Sequence, residues 1–240
     1  MYQFFVDEKI EVGQTIMLSS DQEHHAKNVL RLHNEIVRVV SNEEGYFGNG
    51  YVEENHFLIH IKEKDVSQKE LPKDVTLAIA LIRREKLELV LQKATELGVK
   101  TIIPFISSRC VVQEKKEKSS RQLERWNKIV KEASAQCKRN VIPIIKDIQS
   151  IEEICRYTVP FKLIANSDLE KPSPLLEDVL KSEETLIVIG PEGGFSTKEI
   201  ALFETNQFTS VSLGNRILRA ETACLYALSV IASFQERESK

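Results

Sequence analysis

Leu186-Ile187-Val188-Ile189-Gly190-Pro191-Glu192-Gly193-Gly194-Phe195-Ser196 reads as a buried strand that breaks into a glycine turn and then opens a helix. A second segment of the same design follows about one βα unit later. It is Val211-Ser212-Leu213-Gly214-Asn215-Arg216-Ile217-Leu218-Arg219-Ala220-Glu221-Thr222-Ala223. In open α/β sheets, ligand sites lie beyond the carboxyl ends of the strands, where such turns sit. Two of them close together point to one pocket built from two loops.

Upstream, the same rhythm extends back to residue 74. Val75–Ile82 is a continuous apolar run suited to a strand covered on both faces. Arg84–Leu97 carries Leu87, Val90, Leu91, Ala94 and Leu97 on one helical face, with Gly98 as its C-cap. The spacing then predicts strand Thr101–Phe105 and a basic helix from about Ser120 to Lys138, with Leu123, Trp126, Ile129, Val130, Ala133 and Cys137 inward. Strand Val141–Ile145 and helix Ile151–Tyr157 follow, the helix opened by the capping box Ser150-x-x-Glu153. Next come strand Phe161–Ala165, helix Pro174–Leu180, strand Thr185–Ile189, a short helix after Ser196 with Glu199 as capping partner, strand Thr209–Leu213 and a final helix. Such alternation makes an α/β fold: a mostly parallel sheet with helices on both faces.

The first 70 residues read differently. Short strands at Tyr2–Val6, Thr15–Leu18, Ile36–Val40, Tyr46–Val52 and Phe57–Lys62 are separated by turn-rich pieces, and Phe57–Ile61 suits a small barrel. One helix interrupts them, with Asp21 as its N-cap and Val29 and Leu30 on its apolar side. Leu71-Pro72 closes a polar stretch and is a reasonable domain boundary.

The net charge of −3 hides an uneven distribution. Residues 1–71 hold 7 Lys/Arg and 13 Asp/Glu, whereas residues 83–146 hold 16 Lys/Arg and 7 Asp/Glu. The basic stretch is either a footprint for an anionic polymer or a set of solvated helix faces. Cys110, Cys137, Cys155 and Cys224 have irregular spacing without a C-x-x-C pair, so neither a disulfide framework nor a zinc site is expected. A reducing cytoplasm fits them best. The N-terminus lacks a basic leader region, and the run Thr222–Phe234 is too short to cross a bilayer. His24 and His25 are adjacent on a helix and diverge, so they do not chelate a metal easily.

The glycine turn matches neither of the common nucleotide fingerprints. Its glycines fall at positions one, four and five, against one, three and six for G-x-G-x-x-G, and no Gly-Lys-Ser/Thr run exists for a P-loop. What remains is backbone exposure: Gly193 and Gly194 remove side chains so that a ligand can reach main-chain groups. In the second loop, Ile217 and Leu218 either fold into the core or wall an aromatic base. Arg216, Arg219 and Glu221 bracket them, and Glu221 is also explained as a helix-dipole carboxylate.

These segments resemble the bacterial 16S ribosomal RNA (uracil-N3)-methyltransferase family of the SPOUT superfamily. The matching pieces are His25-x-x-x-Val29-Leu30-Arg31, Lys93–Val99, Ser108-Arg109-Cys110, Trp126, Glu132-Ala-Ser-x-Gln136-Cys137-x-Arg139, Pro143, Gly190–Ser196 and Leu213–Ala223. The resemblance implies a trefoil-knotted methyltransferase domain at 72–240, a small PUA-like RNA-binding barrel at 1–71, a homodimer, and S-adenosyl-L-methionine as cofactor. It implies a cofactor site at Ala165, Gly190, Glu192, Gly193, Gly194, Leu213, Gly214, Ile217 and Leu218. RNA contacts are expected at His25, Arg31, Arg109 and Arg139, with local packing as the alternative use of the His24–His25 pair; the small ribosomal subunit is the implied partner, and neither metal nor membrane is expected. Methylating N3 of a uridine requires loss or sharing of the N3 proton and stabilisation of charge on the uracil oxygens, which suits Arg219 or Arg216. The same arginines could instead hold phosphate. Glu221 is the nearest acid for a base role. The rival readings are a non-catalytic RNA-binding or ribosome-assembly protein, and a SPOUT methyltransferase acting on another RNA base.

Overall fold

A computed structural model describes residues 1–110, 119–166 and 173–238. Its contacts divide the chain into two compact units: residues 1–70 together with 134–141, and residues 71–133 together with 142–240.

The first unit is a five-stranded sheet. Its strands are β1 (Gln3–Phe5), β2 (Thr15–Met17), β3 (Asn34–Ser41), β4 (Glu44–Glu53) and β5 (His56–Asp65), in the order β1-β3-β4-β5-β2. β1 runs parallel to β3, and the other pairings are antiparallel. Inward residues Phe4, Ile16, Val37, Val39, Phe57, Ile59 and Ile61 form its core. Between β2 and β3, α1 (Ser20–His24) widens into a π-helical turn at His25–Val29. Asp21 does not cap this helix: Ser19 occupies the N-cap position, and its hydroxyl donates to the Gln22 side chain. Ala26, not Val29, faces inward, because the wider turn rotates Val29 out to solvent.

An arginine sits in this unit's interior, and the sequence pattern gives no hint of it. Arg38 is 1% exposed. Its Nε donates to Asp65 at 2.8 Å, Nη1 to Gln3 at 2.7 Å and Nη2 to Asn140 at 2.6 Å. Gly45 makes room for it, since a Cβ there would fall 2.1 Å from Arg38 Nη2. Arg139 forms a second buried pair with Glu70, with Nε at 2.9 Å and Nη2 at 2.6 Å. The other Glu70 oxygen accepts the backbone N–H groups of Asn140 and Val141. Residues 134–141 are therefore held to the sheet by paired charges whose hydrogen bonds are largely satisfied, the condition under which buried ions are tolerated.

The second unit is a parallel sheet of seven strands. These are β6 (Val75–Ala80), β7 (Thr101–Ile106), β8 (Ile144–Ile145), β9 (Gln149–Ser150), β10 (Phe161–Ala165), β11 (Thr185–Ile189) and β12 (Thr209–Val211). The order is β12-β10-β11-β6-β7-β8, with β9 also on β7. The helices are α2 (Arg84–Glu96), α3 (Ser119–Gln136), α4 (Ile151–Cys155), α5 (Leu176–Val179), α6 (Thr197–Thr205) and α7 (Ala220–Glu238). Alternate strand residues feed two cores. Val75, Leu77, Ile79, Ile187 and Ile189 pack on one face with Leu87, Val90 and Leu91 of α2, Trp126 and Val130 of α3, and Ala227 and Ile231 of α7. Ala78, Ala80, Leu186 and Val188 pack on the other face with Ile151 and Ile154 of α4 and Phe203 of α6. Both capping boxes form, Ser150 with Glu153 and Ser196 with Glu199. The expected strands at Val141–Ile145 and Thr209–Leu213 shorten to Ile144–Ile145 and Thr209–Val211. Among the described residues, no helix is long and apolar enough to cross a membrane.

The Arg38 cluster gives a stability prediction. Arg38→Met leaves Asp65 buried without its counter-charge and lowers unfolding free energy by about 3–5 kcal/mol in urea titrations; a loss within experimental error would refute the assigned role. Burial pushes the Asp65 carboxyl up, but hydrogen bonds from Ser67 and Arg38, with the Arg38 charge, outweigh it and hold it at about 2, against an ordinary value of 3.8. Its stabilising contribution is complete above the ordinary value and is lost as pH falls toward about 2. Asp65→Asn should flatten that part of the stability–pH curve.

Candidate functional site

Three adjacent strands, β12, β10 and β11, end on a solvent-open cleft. Ala165 ends β10 and Asn166 follows it; Ile189 ends β11, and Gly190, Pro191, Gly194 and Phe195 follow it; Ser212, Leu213, Gly214, Arg216 and Leu218 follow β12. Ala220 and Ala223, in the first turn of α7, complete the lining. The cleft lies at the carboxyl edge of a parallel sheet, the usual ligand position in such folds. Its lining mixes apolar side chains with polar main-chain groups and the side chains of Asn166, Ser212 and Arg216.

The first loop is a tight turn closed by Gly194 N–H donating to the Pro191 carbonyl at 2.9 Å. Gly194 has φ +65°, a backbone conformation that side chains with a Cβ rarely take, and no atom lies within 4 Å of where its Cβ would stand. The turn is gripped from outside. Arg109 Nη1 donates to the Gly193 carbonyl at 2.9 Å. Glu199, buried in the first turn of α6, accepts from the Ser196 N–H (2.7 Å) and hydroxyl (2.9 Å) through one oxygen. Its other oxygen accepts from the Ser107 hydroxyl (2.9 Å) and the Ser108 N–H (2.8 Å), beyond the end of β7. Burial pushes the Glu199 carboxyl up, but these donors outweigh it and hold it below the ordinary range. Phe195 then stacks on Phe105 and meets Phe203 edge-on, anchoring the helix start in the core.

The second loop turns at Gly214, φ +102°, where again nothing lies within 4 Å of a Cβ position. The Ser212 hydroxyl accepts the Gly214 N–H at 3.2 Å. The Asn166 N–H donates to the Val211 carbonyl at 2.9 Å, so the ends of β10 and β12 are joined at the cleft.

Of the expected cofactor residues, Ala165, Gly190, Gly194, Leu213, Gly214 and Leu218 line this cleft. Ile217 does not: it is 79% exposed and turns away from the lining. Glu192 and Gly193 are exposed and stand outside the lining. Arg216 lines the cleft, and Arg219 is exposed just before α7. Glu221 is outside the lining; one of its oxygens lies 3.4 Å from Lys86 Nζ. His25 and Arg31 are exposed residues of the first unit. Arg139 departs from its expected role, because at 3% exposure with its guanidinium on Glu70 it is unavailable to an RNA. Lys115, Lys116 and Lys118 of the basic stretch lie outside the described residues. Asn166, Ser212, Glu199 and Lys86 are the polar residues in or beside the cleft that sequence reasoning did not place there. For Glu199 the capping-box spacing was a partial signal. For the others, only proximity in the fold reveals them. Among the described residues, no group of three or more His, Cys, Asp or Glu side chains is placed to hold a metal.

A profile of the RNA methyltransferase domain matches residues 69–232. The chain is 32% identical to the ribosomal RNA small subunit methyltransferase E of Bacillus subtilis, over 97% of this chain and 96% of the relative. It is 34% identical to that of Mesomycoplasma hyopneumoniae, over 95% and 98%. The crystal structure of ribosomal RNA small subunit methyltransferase E from Neisseria gonorrhoeae, bound to S-adenosyl methionine, superposes with a TM-score of 0.87 at 28% identity, covering 98% of each chain. A Legionella pneumophila structure described as a methyltransferase with bound cofactor gives 0.85 at 31% identity, covering 97% of each. With the parallel sheet and its strand-end cleft, these similarities establish that the chain belongs to the ribosomal RNA small subunit methyltransferase E family.

Proposed function

We propose that the protein binds S-adenosyl-L-methionine in the cleft between Gly190–Gly194 and Leu213–Leu218, and methylates N3 of a specific uridine in 16S ribosomal RNA. The observation that carries this reading is the convergence of two glycine turns on one cleft, with Gly194 and Gly214 both leaving open the space a Cβ would fill. The lining suits this cofactor. Ala165, Leu213, Leu218, Ala220 and Ala223 offer a flat apolar wall to an adenine, and main-chain groups at the two turns offer hydrogen bonds to polar edges. When bound, the cofactor supplies an electrophilic methyl group on a sulfonium.

The protein's own residues then have three tasks. The rigid loops hold the acceptor in line, a proximity effect. Arg216, in the cleft lining, and Arg219, exposed beside it in sequence, stabilise negative charge on the uracil oxygens as N3 loses its proton. Glu221 is the nearest acid to these arginines in sequence and remains the candidate proton acceptor. Exposed His25 and Arg31 of the first unit, with Arg109, face the RNA, and residues 1–71 act as a PUA-like RNA-binding barrel. The crossover from β11 past β10 to the edge strand β12, followed by the return of α7 beside α2, supports a trefoil knot in residues 72–240. The protein acts as a homodimer, as its resemblance to this family implies. The family's work on the small ribosomal subunit supports a cytoplasmic location.

Three measurements test this reading. Gly194→Val forces a β-branched residue into positive φ, a genuine outlier, so calorimetry should show cofactor binding by wild type and severe loss in the variant. Equal affinities would remove the cofactor from this cleft. Arg219→Ala should slow single-turnover methyl transfer by about 10²–10³ while RNA affinity changes little; a near-normal rate would take Arg219 out of the mechanism. Arg31→Ala should weaken RNA binding regardless of sequence and reduce the salt slope by about 1, whereas an unchanged slope would return Arg31 to plain surface.

A further inference from the structure

Lys86 stands in the first turn of α2, away from both glycine turns in sequence. Its Nζ lies 3.4 Å from Glu192 Oε1 and 3.4 Å from Glu221 Oε1. Glu192 lies between the lining residues Pro191 and Gly194, and Glu221 lies between the lining residues Ala220 and Ala223. One ammonium therefore joins the two segments whose residues line the cleft. The Glu221 side chain is only 14% exposed, and its Oε2 is buried without a hydrogen-bond partner among the described residues.

Partly exposed ion pairs of this kind contribute little to global stability. Their geometric effect is separate. Without the ammonium, two carboxylates face each other, one of them largely buried, and each repels the other's loop. Resting on the assignment of the cofactor to this cleft, we propose that Lys86 is a positioning residue: it clips the Gly190–Gly194 turn to the start of α7 and so holds the cofactor cleft in its binding-competent shape. Lys86 acts through the two carboxylates, one of which, Glu221, is also the candidate proton acceptor.

A clip of this type acts on the fraction of molecules that are competent to bind, and apparent affinity falls by that fraction. Lys86→Met should raise the dissociation constant for S-adenosylmethionine roughly tenfold. The thermal unfolding midpoint and RNA affinity should stay near wild type, and raising the cofactor concentration should recover the share of the single-turnover rate that is lost through weak binding. Lys86→Arg should restore most of the affinity, because its fork can still engage two carboxylates. Calorimetry, thermal unfolding and single-turnover transfer on the three proteins decide the matter. Wild-type cofactor affinity in Lys86→Met would overturn the proposal while leaving the cleft assignment intact. So would a joint loss of affinity and thermal stability that Lys86→Arg does not rescue, or a loss confined to RNA affinity. A wild-type protein that binds no cofactor would overturn the cleft assignment and this proposal with it.

Discussion

The Gly190–Gly194 turn keeps its shape because of a carboxylate outside it. Glu199 is buried in the first turn of α6 and accepts four hydrogen bonds, two from Ser196 and two from the Ser107–Ser108 segment. A buried carboxylate is costly unless its oxygens are filled, and here the donors are main-chain and hydroxyl groups that need no counter-ion. The consequence is spatial. The exit of β11 and the exit of β7 are tied to one point, and Phe195 is driven into the aromatic stack with Phe105 and Phe203. The glycines need no rigidity of their own, because the residues flanking them provide it. This resolves a tension in the design of the loop: a backbone bare enough to admit a ligand is also a backbone free to move.

The first unit uses the opposite strategy. Arg38 and Arg139 are both buried; Arg38 is held by Asp65 and by neutral oxygens of Gln3, Lys138 and Asn140, and Arg139 by Glu70, all drawn from distant parts of the chain. Apolar side chains would fill the same volume, but they would not specify how residues 134–141 join the sheet. The planar guanidinium does, since its donors are satisfied in few arrangements. Gly45 belongs to the same device, as its missing side chain is the space the guanidinium occupies.

Where a segment's fate depends on its own pattern, the sequence was readable. β10 and β11 occupy the expected residues, Phe161–Ala165 and Thr185–Ile189, because a doubly covered strand has no polar face to confuse the period. Both capping boxes formed because they are local reciprocal bonds. Legibility ended where partners lie far apart. Arg139 reads as one more cation of a basic stretch until Glu70, from the other end of the same unit, is found against it. Ile217 reads as a pocket wall beside Leu218, and only the sharp turn at Gly214 decides that one faces the cleft and the other faces water. The helix near His25 was visible, but its widening was not: Leu30 N–H reaches back to the His25 carbonyl, and Arg31 takes φ +55° to leave the turn. Neither event has a composition signal.

The strand order has a consequence for how the molecule comes into being. β6, made early in the sheet unit, finds one of its neighbours in β11, so Val75 waits for Thr185 before that edge of the sheet closes. Pairings of such sequence separation are slow to form, because loop entropy is lost before contacts reward it. Every cleft residue lies between Ala165 and Ala223, in the last third of the chain. During synthesis, a half-made chain would therefore expose the apolar edges of β6 and have no ligand site with which to stabilise itself. Ligand binding can lend stability only to the finished fold. For this architecture, the stage most open to aggregation comes before the ligand can help.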